Sequence, residues 1–582
     1  MKQKIVTASL FISLVLSRVL IQPFYSLVSD CDETFNFWEP LNFLLRNFGK
    51  ETWEYSPEYS LRSWAFLLPF YTILYPLNRF TNLESIWNFY VTRMALGIFS
   101  ATLEWKLYRQ ITRSLSISVA RMWLFFQIFN PGYFHASVEL LPSAFDMLLY
   151  LGSIKYTIKY LSTAKNSSFR ACLTYNFIAG ILGWPFVFIL SVPVCVHYLF
   201  THAPIVTVRT TFDCILIFFL VTLVIIGIDS IFYGKFALVS WNIFFYNVFN
   251  ASEKAGPNIF GTEPWYYYFE NFLLNFPLPV LLCSLLGIFC GTLLWPLWMS
   301  YVSWFVIFTL QPHKEERFMY PIYGLVTLSA AIGFVKILNL AKRLSFALAF
   351  FTRVLTMLLV VVQAAMRIMS LVHNFTAPLN VYTYLWHLEP PTTGEGHVQV
   401  CTGREWYHFP SSFHLPEGYR LAFIRSGFDG LLPGDFLESE RLLEGIRSIP
   451  SGMNNLNLFD QDKLRDLDEC SFVVDIADMA ASPEDVFDPF VELDKGSWRA
   501  VHCEKFIDSK NSRILGRSFY VPRKLADIGE RLLGSYWDSI YGANFLDYCL
   551  FERVTTDSVS GDTEQEGVEV EQQMSTSSVA EV

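Results

Sequence analysis

Charged residues are scarce in this chain, and basic residues are fewer than acidic ones. Of its 582 residues, 16% are charged and 53% are hydrophobic, and 43 Lys and Arg residues stand against 53 Asp and Glu residues. The formal net charge of -10 is the opposite of the basic surface that nucleic-acid binding requires, which excludes that class of partner. The abundance of hydrophobic and aromatic residues predicts an α-helical protein that crosses a lipid bilayer many times.

Two sequence patterns are also absent. The ten cysteines show no C-x-x-C spacing, so a cysteine-based metal site is not predicted. No small-residue cleavage site follows the first apolar segment, Ile5–Val28, which predicts a retained membrane anchor rather than a removed signal peptide. Five of the ten cysteines lie outside the apolar segments, Cys31 among them. The four in the C-terminal part could form one or two disulfides in an oxidising lumen, with three full pairings left open. They are Cys401, Cys470, Cys503 and Cys549.

Apolar segments follow one another from Ile5 to Leu371. The basic residues between them should face the cytoplasm, because positive charge marks the cytoplasmic ends of spans. Trp64–Leu77 is short and contains two prolines, so we expect it to lie at the membrane surface or to re-enter. About eleven crossings result, which places the C-terminal part opposite the N-terminus. The predicted luminal loops are residues 29–84, 232–275 and 311–318.

The composition changes near residue 372, where the long apolar runs stop. Two short alternating runs beyond it, Tyr419–Ile424 and Cys470–Asp475, are typical of strands. We therefore predict a membrane core over residues 1–371 and a luminal α+β domain over residues 372–554. Residues 555–582 are acidic, rich in Ser and Thr and poor in aromatics, which predicts a disordered tail.

The first predicted luminal loop begins with an acidic and aromatic motif, Ser29–Pro40. Asp32 and Glu33 are adjacent in it, and in a shielded cleft they cannot both ionise at low cost, so one should have a raised pKa or be held by a cation. A carboxylate in such an environment suits a general base. In the alternative interpretation, Asp32 caps the helix that follows and the loop is a solvated turn at the membrane surface.

A second motif lies in the last predicted luminal loop, where basic residues are less expected. His313, Lys314 and Arg317 supply an imidazole, an ammonium and a guanidinium group beside Glu315 and Glu316. Three such groups form an anion site, and a lipid-linked phosphate arriving from the bilayer is the anion that we expect. The alternative is a basic loop that only anchors the next helix.

A third stretch, Gly256–Tyr268, joins glycines to a run of aromatic residues and includes Glu263 and Trp265. It fits a surface on which sugar rings stack and equally an aromatic belt at the bilayer interface. The sequence leaves both interpretations open.

Together these motifs resemble glycosyltransferase family 22, the dolichol-phosphate-mannose-dependent mannosyltransferases of the endoplasmic reticulum. The resemblance covers about residues 5–550 and rests on the segments Asp32–Pro40, Gly261–Trp265 and His313–Phe318. Within the family, the first of them and the later segment Cys401–Phe413 are similar to members that add α-1,2-linked mannose to the lipid-linked oligosaccharide of N-glycosylation. Members that act on glycosylphosphatidylinositol anchors tend to show His-Pro-Asp-Glu where this chain has Asp-Cys-Asp-Glu.

The resemblance implies a GT-C fold in the endoplasmic reticulum membrane and an inverting transfer of mannose on its luminal side. The donor would be dolichyl-phosphate-mannose and the acceptor a dolichol-pyrophosphate-linked oligosaccharide. Asp32 would take the proton of the acceptor hydroxyl, with Glu33 orienting the acceptor or acting in its place. His313, Lys314 and Arg317 would hold the departing lipid phosphate, so no obligatory metal or other cofactor is expected. The residues expected to contact the acceptor or its sugars are Asn36, Trp38, Glu39, Glu263 and Trp265.

Three alternatives compete with this function. A related enzyme could form α-1,6 links or act on glycosylphosphatidylinositol anchors, and analysis of the product linkage would distinguish them. A transporter of lipid-linked substrates would show internal repeats of the span pattern, and none is convincing here. A structural subunit of a glycosylation complex would tolerate Asp32→Asn without loss of product.

Overall fold

The computed structural model describes residues 2–250, 256–389, 396–479 and 481–554. Helices dominate up to residue 389, and a five-stranded sheet with short helices forms most of the remainder, which we call the sheet domain. The tail that was predicted to be disordered, residues 555–582, lies outside the described residues.

The longest α-helices of the described chain have 22 to 30 residues: Ile86–Ser114, Pro142–Thr163, Pro204–Tyr233, Tyr323–Leu344 and Phe346–Phe375. The shorter α-helices before the sheet domain are Lys2–Val15, Gln22–Tyr25, Cys31–Glu33, Glu39–Arg46, Trp64–Phe80, Ile117–Ile128, Pro131–Ala136, Asn166–Ile178, Val192–Thr201, Val239–Val248, Tyr267–Asn275, Leu278–Cys290, Trp295–Leu310 and Ala377–Tyr384. Segments Leu16–Ile21, Thr34–Trp38 and Ala179–Gly183 are π-helical. The 3-10 helices of this part are Trp53–Tyr55, Pro185–Ser191, Pro257–Phe260, Thr292–Leu294, Glu316–Ile322 and Leu385–His387.

Several of these helices are long and apolar enough to cross a membrane. Five qualify among the described residues, or six if the bent pair Tyr267–Asn275 and Leu278–Cys290 is one span. The five are Lys4–Tyr25, Pro204–Tyr233, Thr292–Leu310, Glu316–Leu344 and Phe346–Phe375. The multispanning helical core is thereby confirmed, whereas the number of about eleven crossings stays a prediction.

The sequence Gly183-Trp184-Pro185 predicts a break within the apolar segment 171–200, and the structure confirms it. The π-helical turn ends at Gly183, the backbone of Trp184 is extended, and a 3-10 helix begins at Pro185. Pro185 has no N–H for a continuing helix, and Asp146 Oδ2 accepts the Trp184 N–H at 2.9 Å. The break therefore has a proline on one side and a buried carboxylate as its hydrogen-bond acceptor.

The sequence Trp295-Pro296 predicts a second break, and in the structure this break lies slightly earlier. The helix Leu278–Cys290 ends at Gly291, and Trp295–Leu310 begins after one 3-10 turn. Pro296 thus occupies the first turn of the later helix, where its missing N–H would have had no acceptor in any case.

Seven strands occur in the described chain: β1 (Lys50–Glu51), β2 (Val398–Thr402), β3 (Tyr419–Phe423), β4 (Gly434–Asp435), β5 (Phe472–Ile476), β6 (Trp498–Ile507) and β7 (Phe545–Arg553). The large sheet has the order β3-β2-β5-β7-β6, with β2 parallel to β3 and β5, and β7 antiparallel to β5 and β6. Its α-helices are Leu442–Arg447, Pro489–Asp494, Ile514–Ser518, Arg523–Leu533 and Ser535–Tyr541. The two predicted strands correspond to β3 and β5, and the α+β character of this part is confirmed.

The sheet domain is packed directly on the first loop. Strand β1 pairs with β4 antiparallel, and Lys50 Nζ lies 2.7 Å from Asp435 Oδ1. Phe35, from the acidic motif, is buried in the same apolar cluster as Val400 and Phe423 of the sheet. The loop with the predicted base is therefore held between the helical core and the sheet domain.

Two disulfides cross-link the sheet domain. Cys401 pairs with Cys470, which joins β2 to the start of β5, and Cys503 pairs with Cys549, which joins β6 to β7. Of the three pairings that the sequence left open, the structure selects this one.

Peptide mapping of the unreduced protein should recover these two pairs. Changing both cysteines of a pair to serine should destabilise the fold by about 2–4 kcal/mol, because the cross-link no longer restricts the unfolded chain. A lower melting temperature of the purified protein would report this loss. Cys290→Ser, at a half-buried free thiol, is the control and should melt like the wild type. A peptide that joins Cys401 to Cys503 would contradict the pairing.

Candidate active site

The acidic motif folds into a short helical turn that separates its carboxylates. Asp30 Oδ1 accepts the backbone N–H of Asp32 at 2.9 Å and caps the turn Cys31–Glu33. Successive residues of a helix point about 100° apart, so Asp32 and Glu33 face different sides. The helix cap in this motif is thus Asp30 and not Asp32, whose carboxylate is left for other contacts.

The guanidinium group of Arg317 joins the first two sequence motifs. Its Nη2 lies 2.6 Å from Asp32 Oδ2, its Nη1 lies 3.1 Å from Asp30 Oδ2, and its Nε contacts Glu315. Asp32 and Arg317 are 285 residues apart in the sequence. Three carboxylates therefore surround one cation, whose side chain is only 12% exposed.

A second guanidinium group, that of Arg62, approaches the same oxygen of Asp32. Arg62 Nη2 lies 3.5 Å from Asp32 Oδ2, and Arg62 also donates two hydrogen bonds of 2.8 and 2.9 Å to Glu54. Because both guanidinium groups contact Oδ2, the other oxygen, Oδ1, is the one placed to receive a proton. The Asp32 side chain is 34% exposed, more than that of either arginine.

These groups line a cavity of about 510 Å³, a size typical of small-ligand sites. Its charged wall consists of Asp30, Asp32, Glu54, Arg62, His313, Glu315 and Arg317. A second wall comes from two separate segments. The helix break contributes Trp184, and the 3-10 helix Pro257–Phe260 contributes Pro257, Ile259 and Phe260. The third wall belongs to the sheet domain and includes Trp406, Phe428, Leu431, Leu432, Pro433 and Asn457.

The two aspartates of the charged wall have opposite pKa shifts. Burial alone would raise the pKa of Asp32, but the charges of Arg317 and Arg62 outweigh burial and lower it. For Asp30, burial outweighs the charge of Arg317 and raises the pKa to about 7. At neutral pH, Asp32 is therefore ionised and Asp30 is partly protonated.

Glu33 lies outside the cavity, which corrects its predicted role beside Asp32. It is completely buried, and its Oε1 accepts the indole N–H of Trp38 and the backbone N–H of Leu140, each at 2.9 Å. Burial raises the pKa of Glu33. The raised pKa that was expected for one member of the Asp32–Glu33 pair therefore belongs to Glu33, whose side chain does not line the cavity. Its carboxylate holds the first loop against the segment at Leu140.

His313 lines the cavity next to Arg317. Its Nε2 lies 2.9 Å from Glu315 Oε1, and its Nδ1 lies 2.8 Å from the carbonyl oxygen of Gly261. Burial lowers the pKa of His313, but the hydrogen bond and charge of Glu315 outweigh burial and raise it above the usual value. The imidazolium form is favoured, which adds a third cation to this wall.

Lys314 and Glu263 fasten two loops together behind the charged wall. Lys314 Nζ donates to the backbone carbonyls of Glu263 and Gln311 at 2.7 and 2.5 Å, and the Glu263 N–H donates to the Pro312 carbonyl at 3.0 Å. Neither side chain is among those that line the cavity. The contacts of Lys314 with phosphate and of Glu263 with sugar stay predictions, and in the structure the ammonium group of Lys314 is bound to backbone oxygens.

Of the remaining predicted acceptor contacts, Asn36 lines the cavity and the other three do not. Trp38 and Glu39 are completely buried, and Glu39 accepts the backbone N–H and the hydroxyl of Ser412 at 2.6 and 2.8 Å. Trp265 is 67% exposed and lies outside the cavity, as expected for the aromatic-belt interpretation. The structure thus places Trp38, Glu39 and Trp265 outside the cavity, and their contact with an acceptor stays a prediction.

The sequence reasoning missed several residues of the cavity. Arg62 and Glu54 lie in the predicted first luminal loop, and charge so close to a membrane was the signal that could have found them. Trp184 was recognised only as part of a helix break. Trp406 lies inside a segment that carried the family resemblance, whereas Asn457 comes from a loop without any motif.

A metal ion would find its ligands at Asp30, Cys31 and Asp32, whose donor atoms lie within 4.8 Å of one another. Both carboxylates already contact Arg317. Burial raises the pKa of the Cys31 thiol, which disfavours the thiolate that metals bind. Among the described residues, the carboxylates that a metal ion would need are thus already in contact with the cations Arg317 and Arg62.

Comparison with known proteins agrees with this geometry. The chain matches the Alg9-like mannosyltransferase family over residues 10–416. It is 57% identical to alpha-1,2-mannosyltransferase ALG9 of Saccharomyces cerevisiae, over 95% of this chain and 99% of that protein. It is 34% identical to the human protein of the same name, over 87% of this chain and 85% of that protein.

A solved structure has a similar fold. ArnT from Cupriavidus metallidurans in the apo state aligns with a TM-score of 0.52 and 11% identity, over 86% of this chain and 96% of ArnT. At that identity the likeness concerns the fold alone, and it confirms the predicted GT-C fold. The family match spans both motifs that meet at Arg317. By its sequence, this enzyme belongs to the Alg9-like mannosyltransferase family.

Proposed function

We propose that this enzyme transfers mannose in α-1,2 linkage from dolichyl-phosphate-mannose to a dolichol-pyrophosphate-linked oligosaccharide, on the luminal side of the endoplasmic reticulum membrane, for N-glycosylation. The names of its relatives support the linkage, and the three motifs support the donor and the acceptor. The observation that carries the proposal is the cavity in which the carboxylate of Asp32 meets the guanidinium group of Arg317.

Asp32 is the general base of this proposal. The donor is a β-linked mannosyl phosphate and the product is an α-linkage, so the reaction inverts and needs one base and a stabilised leaving group. Two guanidinium groups fix Oδ2 of the ionised Asp32, and Oδ1 takes the proton of the acceptor hydroxyl as its oxygen attacks the anomeric carbon.

Arg317 and His313 offset the negative charge that develops on the departing phosphate. Both line the cavity, and the raised pKa of His313, caused by the hydrogen bond and charge of Glu315, favours its imidazolium form. When the phosphate draws Arg317 toward itself, Asp32 keeps only the more distant Arg62, so its basicity rises at the step where it must accept a proton. Lys314 acts indirectly, through the loop that positions His313. We expect no obligatory metal ion, because the leaving group is a lipid monophosphate and Arg317 and His313 supply positive charge next to it.

The sheet domain supplies the acceptor side of the cavity. Trp406 and Phe428 pack with ring centroids 4.8 Å apart, and Asn457 Oδ1 accepts the Leu431 N–H at 2.9 Å, which fixes that loop. An indole ring offers an apolar face with a polar edge, which suits a sugar. Because the donor arrives from the bilayer at the charged wall, the acceptor glycan occupies the opposite wall.

Asp32→Asn should lower the rate of mannose transfer on the order of a hundredfold or more, because an amide cannot take the proton. The assay is transfer from radiolabelled dolichyl-phosphate-mannose to a lipid-linked oligosaccharide by the purified protein. Glu58→Gln, at an exposed residue of the same loop, is the matched control and should keep the wild-type rate. A folded Asp32→Asn protein with an unchanged rate would remove Asp32 from the mechanism.

The pH profile should distinguish Asp32 from Asp30. A base whose pKa is lowered stays ionised until the pH falls through that lowered value, so kcat/KM should show no acid limb between about pH 7 and pH 5. Burial raises the pKa of Asp30 to about 7. An acid limb near pH 7 that disappears in Asp30→Asn would therefore assign the base to Asp30.

Trp406→Ala should raise the KM for the oligosaccharide acceptor roughly tenfold, since an aromatic contact of about 1.4 kcal/mol is lost, while kcat and the KM for the donor change little. The neighbouring Tyr407, exposed and outside the cavity, provides the control Tyr407→Ala. A change confined to the donor KM would show that this wall binds the donor instead.

A further inference from the structure

A helical hairpin extends from the sheet domain beside the last long helix. Its two helices, Arg523–Leu533 and Ser535–Tyr541, are joined at Gly534, whose φ of 54° is left-handed. We propose that this hairpin lies in the bilayer interface on the side of the sheet domain and anchors that domain to the membrane surface.

The chain before the hairpin descends along the last long helix, Phe346–Phe375. Asn374 Nδ2 donates to the carbonyl of Arg517 at 3.3 Å, and three residues later the N–H of Tyr520 donates to the carbonyl of Met366 at 2.8 Å. From Asn374 to Met366 the helix rises about 12 Å. The hairpin therefore begins beside Met366, about two helical turns before the helix ends at Phe375, and not beyond that end.

Met366 lies at the level where the last long helix leaves the hydrocarbon core of the membrane. The helix is apolar enough to span a membrane, and only 11% of its most apolar window is buried, so most of it faces lipid. Arg367 is buried and donates to the Ser518 carbonyl at 3.2 Å, so helix length decides the level. About 20 residues cross a hydrocarbon core of about 30 Å, and a helix that begins at Phe346 reaches Met366 over that length. The hairpin thus starts at the depth of the interface.

The first helix of the hairpin is amphipathic. Its apolar residues fall within an arc of about 160° around the helix axis and its charged residues within a separate arc of about 120°. On the apolar side, Leu525, Ile528 and Leu532 are 57%, 50% and 77% exposed. A short helix of this length is marginally stable in water unless its apolar side is covered. We therefore expect the exposed apolar side of this helix to lie in apolar surroundings.

The hairpin is held firmly in this position. The Tyr541 hydroxyl donates to the Phe519 carbonyl at 2.9 Å and accepts the Val521 N–H at 2.8 Å, which joins the last residue of the hairpin to the chain before its first. The Trp537 ring packs on Gly529, where a Cβ would lie 2.5 Å from the ring. These contacts hold the hairpin in a defined arrangement in which apolar residues such as Leu532 are exposed.

Lipid is the occupant that the surroundings favour. Met369, about one turn from Met366 on the last long helix, is 47% exposed, so a surface that faces the bilayer lies beside the point at which the hairpin begins. Arg523, Lys524 and Arg531 lie on the charged side, where phospholipid phosphates are within reach of an interfacial helix. Anchored in this way, the sheet domain keeps its cavity wall at a fixed height above the membrane.

The test places a fluorescent non-canonical amino acid at Leu532, on the apolar side, or at Asp527, on the charged side as the matched control. Each full-length variant is reconstituted into phosphatidylcholine vesicles with or without lipids brominated on the acyl chain. We expect quenching by the brominated lipid to be several-fold stronger at position 532 than at 527, and iodide in the water to show the reverse order.

Equal and weak lipid quenching with strong iodide quenching at both positions would show a hairpin in water and overturn the proposal. Protection of position 532 from both quenchers would show that a protein surface covers it, which also overturns the proposal. The unmodified protein gives a second test: acyl-chain diazirine lipids should label peptide 523–541 as well as the last long helix. Labelling of that helix without the hairpin would contradict the anchor, whatever the result of the transferase assay.

Discussion

One guanidinium group, that of Arg317, determines how the catalytic region is assembled. It contacts Asp30 and Asp32 from the first loop and Glu315 from its own segment. Without it, three carboxylates would face one another in a shielded cavity, and an uncompensated buried charge costs several kcal/mol. The first loop and the segment 313–317 can therefore adopt their positions only together.

The charged residues that do not reach the cavity maintain this arrangement. Glu33 binds the backbone at Leu140, Glu39 binds Ser412, and Lys314 binds the carbonyl of Glu263. Each ties one catalytic segment to a different part of the chain, and Glu39 ties the first loop to the sheet domain. Fixed in advance, the groups around Asp32 need little reorganisation during transfer, which is how electrostatic stabilisation becomes effective.

Local patterns in the sequence predict the elements well and the site only in part. The proline at residue 185 predicts the helix break, and alternation predicts β3 and β5, because these features depend on neighbouring residues. The contact of Asp32 with Arg317 spans 285 residues, so only a family resemblance indicates it. Whether Asp32 or Glu33 faces the cavity depends on how one helical turn is oriented. Because the two carboxylates are adjacent and chemically alike, the sequence does not distinguish them.

The count of spans shows the same limit. The hydropathy of the segment Ile86–Glu104 predicts a span, and it contains Arg93, whose charge is costly in lipid. The guanidinium group of Arg93 donates to the carbonyls of Ser26 and Leu27 at 2.6 and 3.0 Å. These acceptors come from the end of a different helical segment. The hydropathy of the helix Ile86–Ser114 therefore does not decide its relation to the bilayer, since part of its polarity is satisfied by tertiary contacts.

In the proposed reaction, charge balance links donor binding to Asp30. The carboxylates of the cavity outnumber its cations, so an arriving phosphate favours the protonated form of one carboxylate. Asp30, whose pKa burial raises to about 7, gains a proton more readily near neutral pH than Asp32. A neutral Asp30 holds Arg317 less tightly and lets it turn to the phosphate, while Arg62 still orients Asp32. In the proposed mechanism the two aspartates thus have separate roles: Asp30 adjusts the charge of the site, while Asp32 stays ionised to take the acceptor proton.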